Sequence, residues 1–175
     1  FAGMDEVSNC VSSNNGNVEL VRPIAQLNIG TDDESLSIEG QTTVEIETTA
    51  VTVNGLSTSF NVAENKAGEI SAADYVYAAK PVALSESTFA VNSTNYNYVA
   101  MNYVGFAPQM GTNVEVTYTI NTENVGTITN TIDNVPVKAN HRTNIIGNLI
   151  TSMSDYTITL DEEWADEQYY GPEFV

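Results

Sequence analysis

Residues 112–120 read TNVEVTYTI, and the alternation in that run decides the fold class. Val114, Val116, Tyr118 and Ile120 share one parity, while Glu115, Thr117 and Thr119 share the other. A period of two marks a half-buried β-strand, because successive side chains leave opposite faces of the pleat. The four apolar residues are therefore expected to face a core and the other three to face water. DYTITL, residues 155–160, repeats the pattern with Tyr156, Ile158 and Leu160 inward. VELVRPIAQLNI, VEIE, VTVNGLSTSFNV, YVYAAKP, STFAV and NYNYVAMNYVGF supply further strand-like runs. The first dozen residues alone suit a helical turn. Many short strands with turn signals between them predict an all-β sandwich of antiparallel sheets.

Three local signals refine this picture. Asn54-Gly55 lies between apolar runs and predicts a hairpin turn. Pro23 and Pro136 sit inside strand-like runs but cannot donate to a ladder, so each belongs at an edge, a bulge or a strand start. Gly147 interrupts the apolar run NIIGNLI and is expected to mark a bulge or a close backbone approach. Ile145, Leu149, Val116 and Tyr118 are expected to share one core.

Composition narrows the function classes. Five basic residues stand against 23 acidic ones in 175, for a net charge of -18. Such a surface repels phosphate backbones and anionic headgroups, so nucleic acid is not an expected partner. The chain carries 20 Thr and 20 Asn but 3 Lys, the usage of a thin, well-solvated β protein. One cysteine, Cys10, permits neither an internal disulfide nor a thiolate metal cluster. Cys10 has acidic or neutral neighbours and reads as a plain thiol. It has no apolar stretch before it, so it is not read as a lipoprotein cysteine. No apolar run approaches the roughly 20 residues of a spanning helix. The start at Phe1, without an initiator Met, reads as a processed or trimmed chain.

Candidate chemistry is sparse. His141 is the one histidine and the one candidate base near neutral pH. No serine lies in a nucleophile motif, so His141 reads as structural and a hydrolase is disfavoured. Asp32, Asp33 and Glu34 are the best local cluster for a hard cation, yet they lack the alternating ligand spacing of a calcium loop. Arg22 and Arg142 are rare cations suited to clamping a local carboxylate. The tail LDEEWADEQYYGPEFV interleaves acids with Trp164, Tyr169, Tyr170 and Phe174. It is expected to fold back over its own domain or to offer an apolar strip to a neighbour. The reading is of no catalytic site, no metal and no cofactor.

Two runs stand out from the general strand pattern. Residues 135–151, VPVKANHRTNIIGNLIT, join a strand (Val135, Val137), a polar corner and a second apolar run. They also gather Lys138, His141 and Arg142 in one place. Residues 18–33 read VELVRPIAQLNIGTDD. Together they resemble the fimbrillin-like surface proteins of Bacteroidetes, the type V pilins and pilus-associated lipoproteins. That family has an Arg-Pro-x-Ala-Gln-Leu-Asn run early and a Val-Pro-Val…Asn-x-Arg-Thr-Asn-x-x-Gly-x-Leu-x-Thr run late. The matching positions here are Arg22, Pro23, Ala25 and Gln26, then Asn140, Arg142, Thr143 and Gly147. The likeness spans most of the chain from Val18 to about Glu163.

The resemblance implies an antiparallel Greek-key β-sandwich, transthyretin-like and of the fimbrillin type. It also implies two sandwiches in tandem. A soft boundary at residues 63–74 would make residues 1–64 the last strands of an N-terminal sandwich whose start is missing, and 65–175 a C-terminal sandwich. The alternative is one fused sandwich over 1–175. The implied role is a non-enzymatic pilus subunit or tip/adhesion component at the cell surface, in a fimbrium. Outer-membrane association would come through a precursor lipoprotein signal not present in this chain. Implied partners are other pilus subunits, a second copy included, joined by donor-strand addition, together with a host or bacterial surface ligand.

The donor candidate is the segment of Tyr156, Ile158 and Leu160 with Trp164 beyond it. The acceptor is expected at an unpaired edge within residues 18–29 or 44–62, where no lysine blunts the strand. A second reading is a surface glycan-binding sandwich using Tyr96, Tyr98 and Tyr103. Strand parity argues against it, since it puts Tyr103 on the opposite face from the other two.

Overall fold

The computed structural model describes residues 22–32, 36, 44–71, 73–82, 88–150 and 155–161. Eleven strands run in chain order: β1 Ile24–Thr31, β2 Ile46–Asn54, β3 Phe60–Asn61, β4 Lys66–Ala67, β5 Tyr75–Pro81, β6 Thr88–Val91, β7 Thr94–Phe106, β8 Thr112–Thr122, β9 Gly126–Val137, β10 Arg142–Asn148 and β11 Asp155–Asp161. There is no α-helix among the described residues, and none of them forms a helix long and apolar enough to cross a membrane. The strands make a sheet of order β11-β10-β1-β7-β6 and a sheet of order β5-β2-β8-β9. β3 and β4 form a short ribbon of their own.

The alternation in β8 does what the sequence predicts. Val116, Tyr118 and Ile120 are fully buried, and Val114 nearly so, while Glu115 is exposed. The outward threonines pair across the strand gap, Thr117 with Thr131 at 2.8 Å and Thr119 with Thr129 at 3.1 Å. Ile145, Leu149, Val116 and Tyr118 lie in one core cluster with Leu27, Ile29, Val51 and Val53. Tyr118 is buried with its hydroxyl satisfied, because it donates to Leu149 O at 3.3 Å and accepts from Asn130 Nδ2.

One pairing departs from the antiparallel expectation. β1 runs parallel to β10, with Gln26 opposite Arg142, Leu27 opposite Thr143 and Asn28 opposite Asn144. Parallel neighbours need a long connection between them, and here that connection passes through the second sheet by way of β8 and β9. β1 is the central strand of its sheet and is buried on both faces from Ala25 to Thr31.

The described pairings do not divide at residues 63–74. β1 pairs with β7 and β10, and β2 pairs with β5 and β8, so both join strands from beyond that segment. This also corrects the expected acceptor edge. β1 and β2 are interior strands, and the outer strands of the two sheets are β6, β11, β5 and β9. Local alternation shows that a segment is a strand; it does not show which strand is outermost.

The proline and turn signals resolve in different ways. Pro23 immediately precedes β1, and Pro136 lies in the outer strand β9, as their missing donors require. The chain does turn after Asn54, at Gly55 with φ +100°, but the turn makes no hairpin. It leads to Ser57, which bridges to Phe106 of β7 in the other sheet. The tight two-residue hairpin is instead β6–β7, at Asn92 and Ser93, both with positive φ.

Gly147 sits at φ +135°, and a Cβ there would lie 2.5 Å from Asp155 O and 3.0 Å from Tyr156 Cα. The obstacle is the backbone of β11, which cannot move without breaking its ladder with β10. Gly147→Val is expected to lower unfolding stability by at least about 1–3 kcal/mol from backbone strain alone. Chemical denaturation checks this; an unchanged midpoint contradicts it.

Candidate functional site

The two motif runs meet in the β1–β10 pair. Gln26, Asn28, Arg142 and Asn144 all stand on the face of the sheet turned away from the core, because Leu27, Thr143 and Ile145 occupy the other parity. They form a chain of side-chain bonds. Gln26 Nε2 donates to Asn28 Oδ1 at 2.7 Å, and Asn28 Nδ2 donates to Asn144 Oδ1 at 2.8 Å. Asn144 Nδ2 in turn donates to Thr159 Oγ1 at 3.1 Å and Asp161 Oδ2 at 3.0 Å, both on β11. Three strands are thereby tied through buried amides, each bonded as a buried polar group must be. Arg142 Nε lies 3.6 Å from Asp161 Oδ2, within ion-pair range but without a direct hydrogen bond.

The rest of the late motif fixes the corner before β10. Asn140, at φ +61°, donates its N–H to Ile24 O at 2.9 Å, and Gln26 N–H donates to His141 O at 3.0 Å. Thr143 Oγ1 donates to Pro136 O at 2.6 Å. His141 Nδ1 lies 2.8 Å from Ala139 O, a local backbone contact. Ala25 is a fully buried core residue, and Arg22 and Pro23 flank a small depression with Phe60 and Lys66 at the entrance to β1. Gln26, Asn140 and Thr143 of the motif runs thus bond within and around the β1–β10 pair.

A second arrangement was not visible in the sequence. β7 is 13 residues long, and among the described residues β6 pairs with its outer side from Thr94 to Asn97. At the other end Ser57 bridges to Phe106. Between them, residues 98–102 border a groove of about 390 Å³. Its opposite wall is Tyr77, Ala78, Lys80 and Pro81 of β5, with Thr49 and Val51 of β2 at its base. Five extended residues span roughly 17 Å.

The groove is closed beyond residue 102 by Tyr77, whose hydroxyl donates to Tyr103 O at 2.8 Å, a side chain bonding to a strand-edge carbonyl. Burial, with Tyr75 adding to it, pushes the Tyr77 phenol up to about 12, so it remains a donor at any working pH. Thr49 Oγ1 is buried in the groove wall and bonds to no partner among the described residues.

The outer strands differ in how they are defended. β5 carries Lys80, Pro81 and a bulge where Thr49 opposite Lys80 is followed by Val51 opposite Tyr77. Those are the usual means of blunting an edge. β9 carries Pro136 and a bulge of its own, and β11 begins and ends with aspartate. Residues 98–102, Tyr-Val-Ala-Met-Asn, hold neither charge nor proline.

The remaining sequence candidates are placed as follows. Tyr156 and Ile158 pack against the core as expected, whereas Leu160 is 37% exposed, and all three belong to β11, antiparallel to β10 of the same chain. Trp164, Cys10, Asp33, Glu34 and the tail beyond Asp161 lie outside the described residues. Asp32 lines a polar depression with Tyr96, Asn148 and Asp155. Among the described residues no three metal-ligating acids, histidines or cysteines converge.

Among the described acidic residues, Glu123 just after β8 and Glu45 just before β2 stand close together. Glu123 shares a side-chain hydrogen bond with Glu45, and that bond, then the charges of Glu45 and Glu47, raises its pKa. A raised carboxyl pKa means the folded state favours the protonated form, so the pair costs stability above the ordinary carboxylate range and not below it. Glu123→Gln is expected to raise the melting temperature at pH 7 and to have no such effect at pH 3.

The chain resembles several solved structures from Bacteroides. A candidate cell-adhesion protein of Bacteroides ovatus matches at 15% identity and a TM-score of 0.39, over 84% of this chain and 47% of that one. A fimbrial protein of Bacteroides vulgatus matches at 15% identity and a TM-score of 0.36, over 81% and 54%. A candidate cell-adhesion protein of Bacteroides fragilis matches at 11% identity and a TM-score of 0.32, over 86% and 48%. The chain spans about half the length of these structures. No curated protein matches it. A family model does, over residues 1–173, and by that match the chain belongs to DUF6562, a family of unknown function.

Proposed function

We propose that this chain is a non-enzymatic, fimbrillin-like surface protein, a pilus subunit or tip/adhesion component, that joins its neighbours by strand addition at the β7 gap. The observation that carries this reading is the uncharged run 98–102, which faces the groove beneath β5 and, among the described residues, has no strand paired to its outer side. An extended segment laid there would continue the line of β6. Its main-chain groups would bond to the free edge of β7, the mode in which backbone bonds give affinity and alternate side chains give specificity. A hydroxyl or amide on that segment would satisfy Thr49 Oγ1, a gain of about 1 kcal/mol.

The motif runs support the same role, since the ladder they form braces the sheet whose edge accepts the strand. The donor belongs to a neighbouring subunit. Residues Tyr156 to Leu160 of a second copy qualify in pattern, but they must first leave β10 and the bonds from Asn144. Trp164 and the tail after Asp161 complete that candidate donor.

The test is a titration of the full chain with a labelled synthetic peptide of residues 155–175, repeated with Ala100→Trp. Ala100 faces the groove on the core side of β7, so the indole fills the space. Peptide binding to the parent and its loss in the variant support the reading. A chain that stays monomeric at high concentration and takes up no strand-like peptide overturns it.

A further inference from the structure

The parity argument against a tyrosine platform fails at a bulge in β7. Ile29 of β1 pairs with Ala100, but the next residue, Gly30, pairs with Tyr98, so Val99 is an extra residue on the β7 side. An extra residue exchanges the faces of everything beyond it. Tyr103 opposite Gln26, Met101 opposite Asn28 and Tyr98 opposite Gly30 therefore all stand on the face turned away from the core.

Phe89 and Tyr96 extend the row past Gly30, whose missing side chain leaves them room. A Cβ there would lie 2.5 Å from the Phe89 ring and 3.1 Å from Tyr96 Cβ. The Phe89 ring centroid lies 4.5 Å from that of Tyr98 and 6.1 Å from that of Tyr96. At the open end of the row Tyr103 is 54% exposed and Met101 45%.

A polar pair flanks this row on the same face. Arg142 and Asp161 are each about one-third exposed and stand 3.6 Å apart at Nε and Oδ2, too far for a direct hydrogen bond. Arg142 Nε donates to no described acceptor. Burial raises the Tyr98 pKa, with the Arg142 charge lowering it and Tyr103 raising it further.

We propose that this face is a binding platform for a neutral glycan. Tyr103 and Tyr98 supply flat rings for the apolar faces of pyranose units, amphipathic surfaces with little entropy to lose. Arg142 offers donors and Asp161 acceptors to adjacent sugar hydroxyls, so one pair reads a diol in both directions. Charge selects the neutral class, because a chain of net charge -18 repels acidic sugars from its surface. Tyr98 and Met101 also border the groove at the sheet edge, while Tyr103, Arg142 and Asp161 extend the platform over the face turned away from the core.

The experiment is an NMR titration of the full chain with neutral gluco-, manno- and galacto-oligosaccharides, with sialyllactose as the acidic comparison. At least one neutral oligosaccharide is expected to bind in the millimolar range or tighter and to shift Tyr98 and Tyr103 resonances. Tyr103→Ala is expected to weaken binding at least tenfold, and Met101→Glu, a second exposed position, to weaken it severalfold. Val125→Ala, at an exposed position between β8 and β9 of the other sheet, should leave it unchanged. Absence of binding by every neutral oligosaccharide overturns the proposal. So does preference for sialyllactose, or equal affinity in parent and Tyr103→Ala when both retain the same folded spectrum.

Discussion

Leu149→Ala is expected to cost about 2–5 kcal/mol of folding stability, the range for truncating a fully buried leucine. Leu149 is wholly excluded from solvent although it lies past the end of β10, and its carbonyl accepts the Tyr118 hydroxyl. The cavity would open between the two sheets, where both layers are fixed by their ladders and neither can collapse into it. For a chain of this size the loss corresponds to a melting temperature lower by roughly 4–20 °C. A thermal scan of the variant beside the parent measures it, and an unchanged transition contradicts the inward placement of the NIIGNLI run.

Asn144→Ala is expected to cost about 2–3 kcal/mol, through unsatisfied partners and not through lost volume. Removing this amide leaves Asn28 Nδ2, Thr159 Oγ1 and Asp161 Oδ2 each without a bond they now make. Asn28 and Asn144 are both 1% exposed, so water does not readily replace the missing group. The ladder account also predicts non-additivity. In a cycle of Asn28→Ala, Asn144→Ala and the double variant, the pair should couple by at least about 0.5 kcal/mol. Strict additivity would mean that the two amides act independently and that the ladder is not a unit.

What the sequence could reveal was set by local periodicity. β8 alternates cleanly because one face meets the core and the other meets water, so the sequence pattern places Val116 and Tyr118 inward as the structure does. In β11 the pattern holds for Tyr156 and Ile158 and fails at the exposed Leu160. β1 and β10 do not alternate in this way. Gln26, Asn28 and Ile146 face away from the core and are buried nonetheless, so polarity there does not report exposure.

The parallel pairing of β1 with β10 joins residues 116 apart, and nothing local to either run encodes it. The bulge at Val99 is equally silent, although it decides on which face Tyr103 stands. The groove was missed for a related reason. Its lining comes from β2, β5 and β7 together, a property of how the strands assemble and not of any one strand's composition. A signal was present in the opposite wall, where Lys80 and Pro81 mark β5 as a defended edge.

Amide hydrogen exchange across β7 tests most directly the proposal that residues 98–102 receive a strand. In the isolated chain, the amides in 98–102 that point away from β1 should exchange quickly, while those of Leu27 and Ile29 in the sheet centre stay protected. Adding a donor segment that binds should slow the same outward amides and leave the rest of the molecule as it was. Outward amides already protected as strongly as β1 in the isolated chain, or still unprotected with the donor bound, would contradict the account.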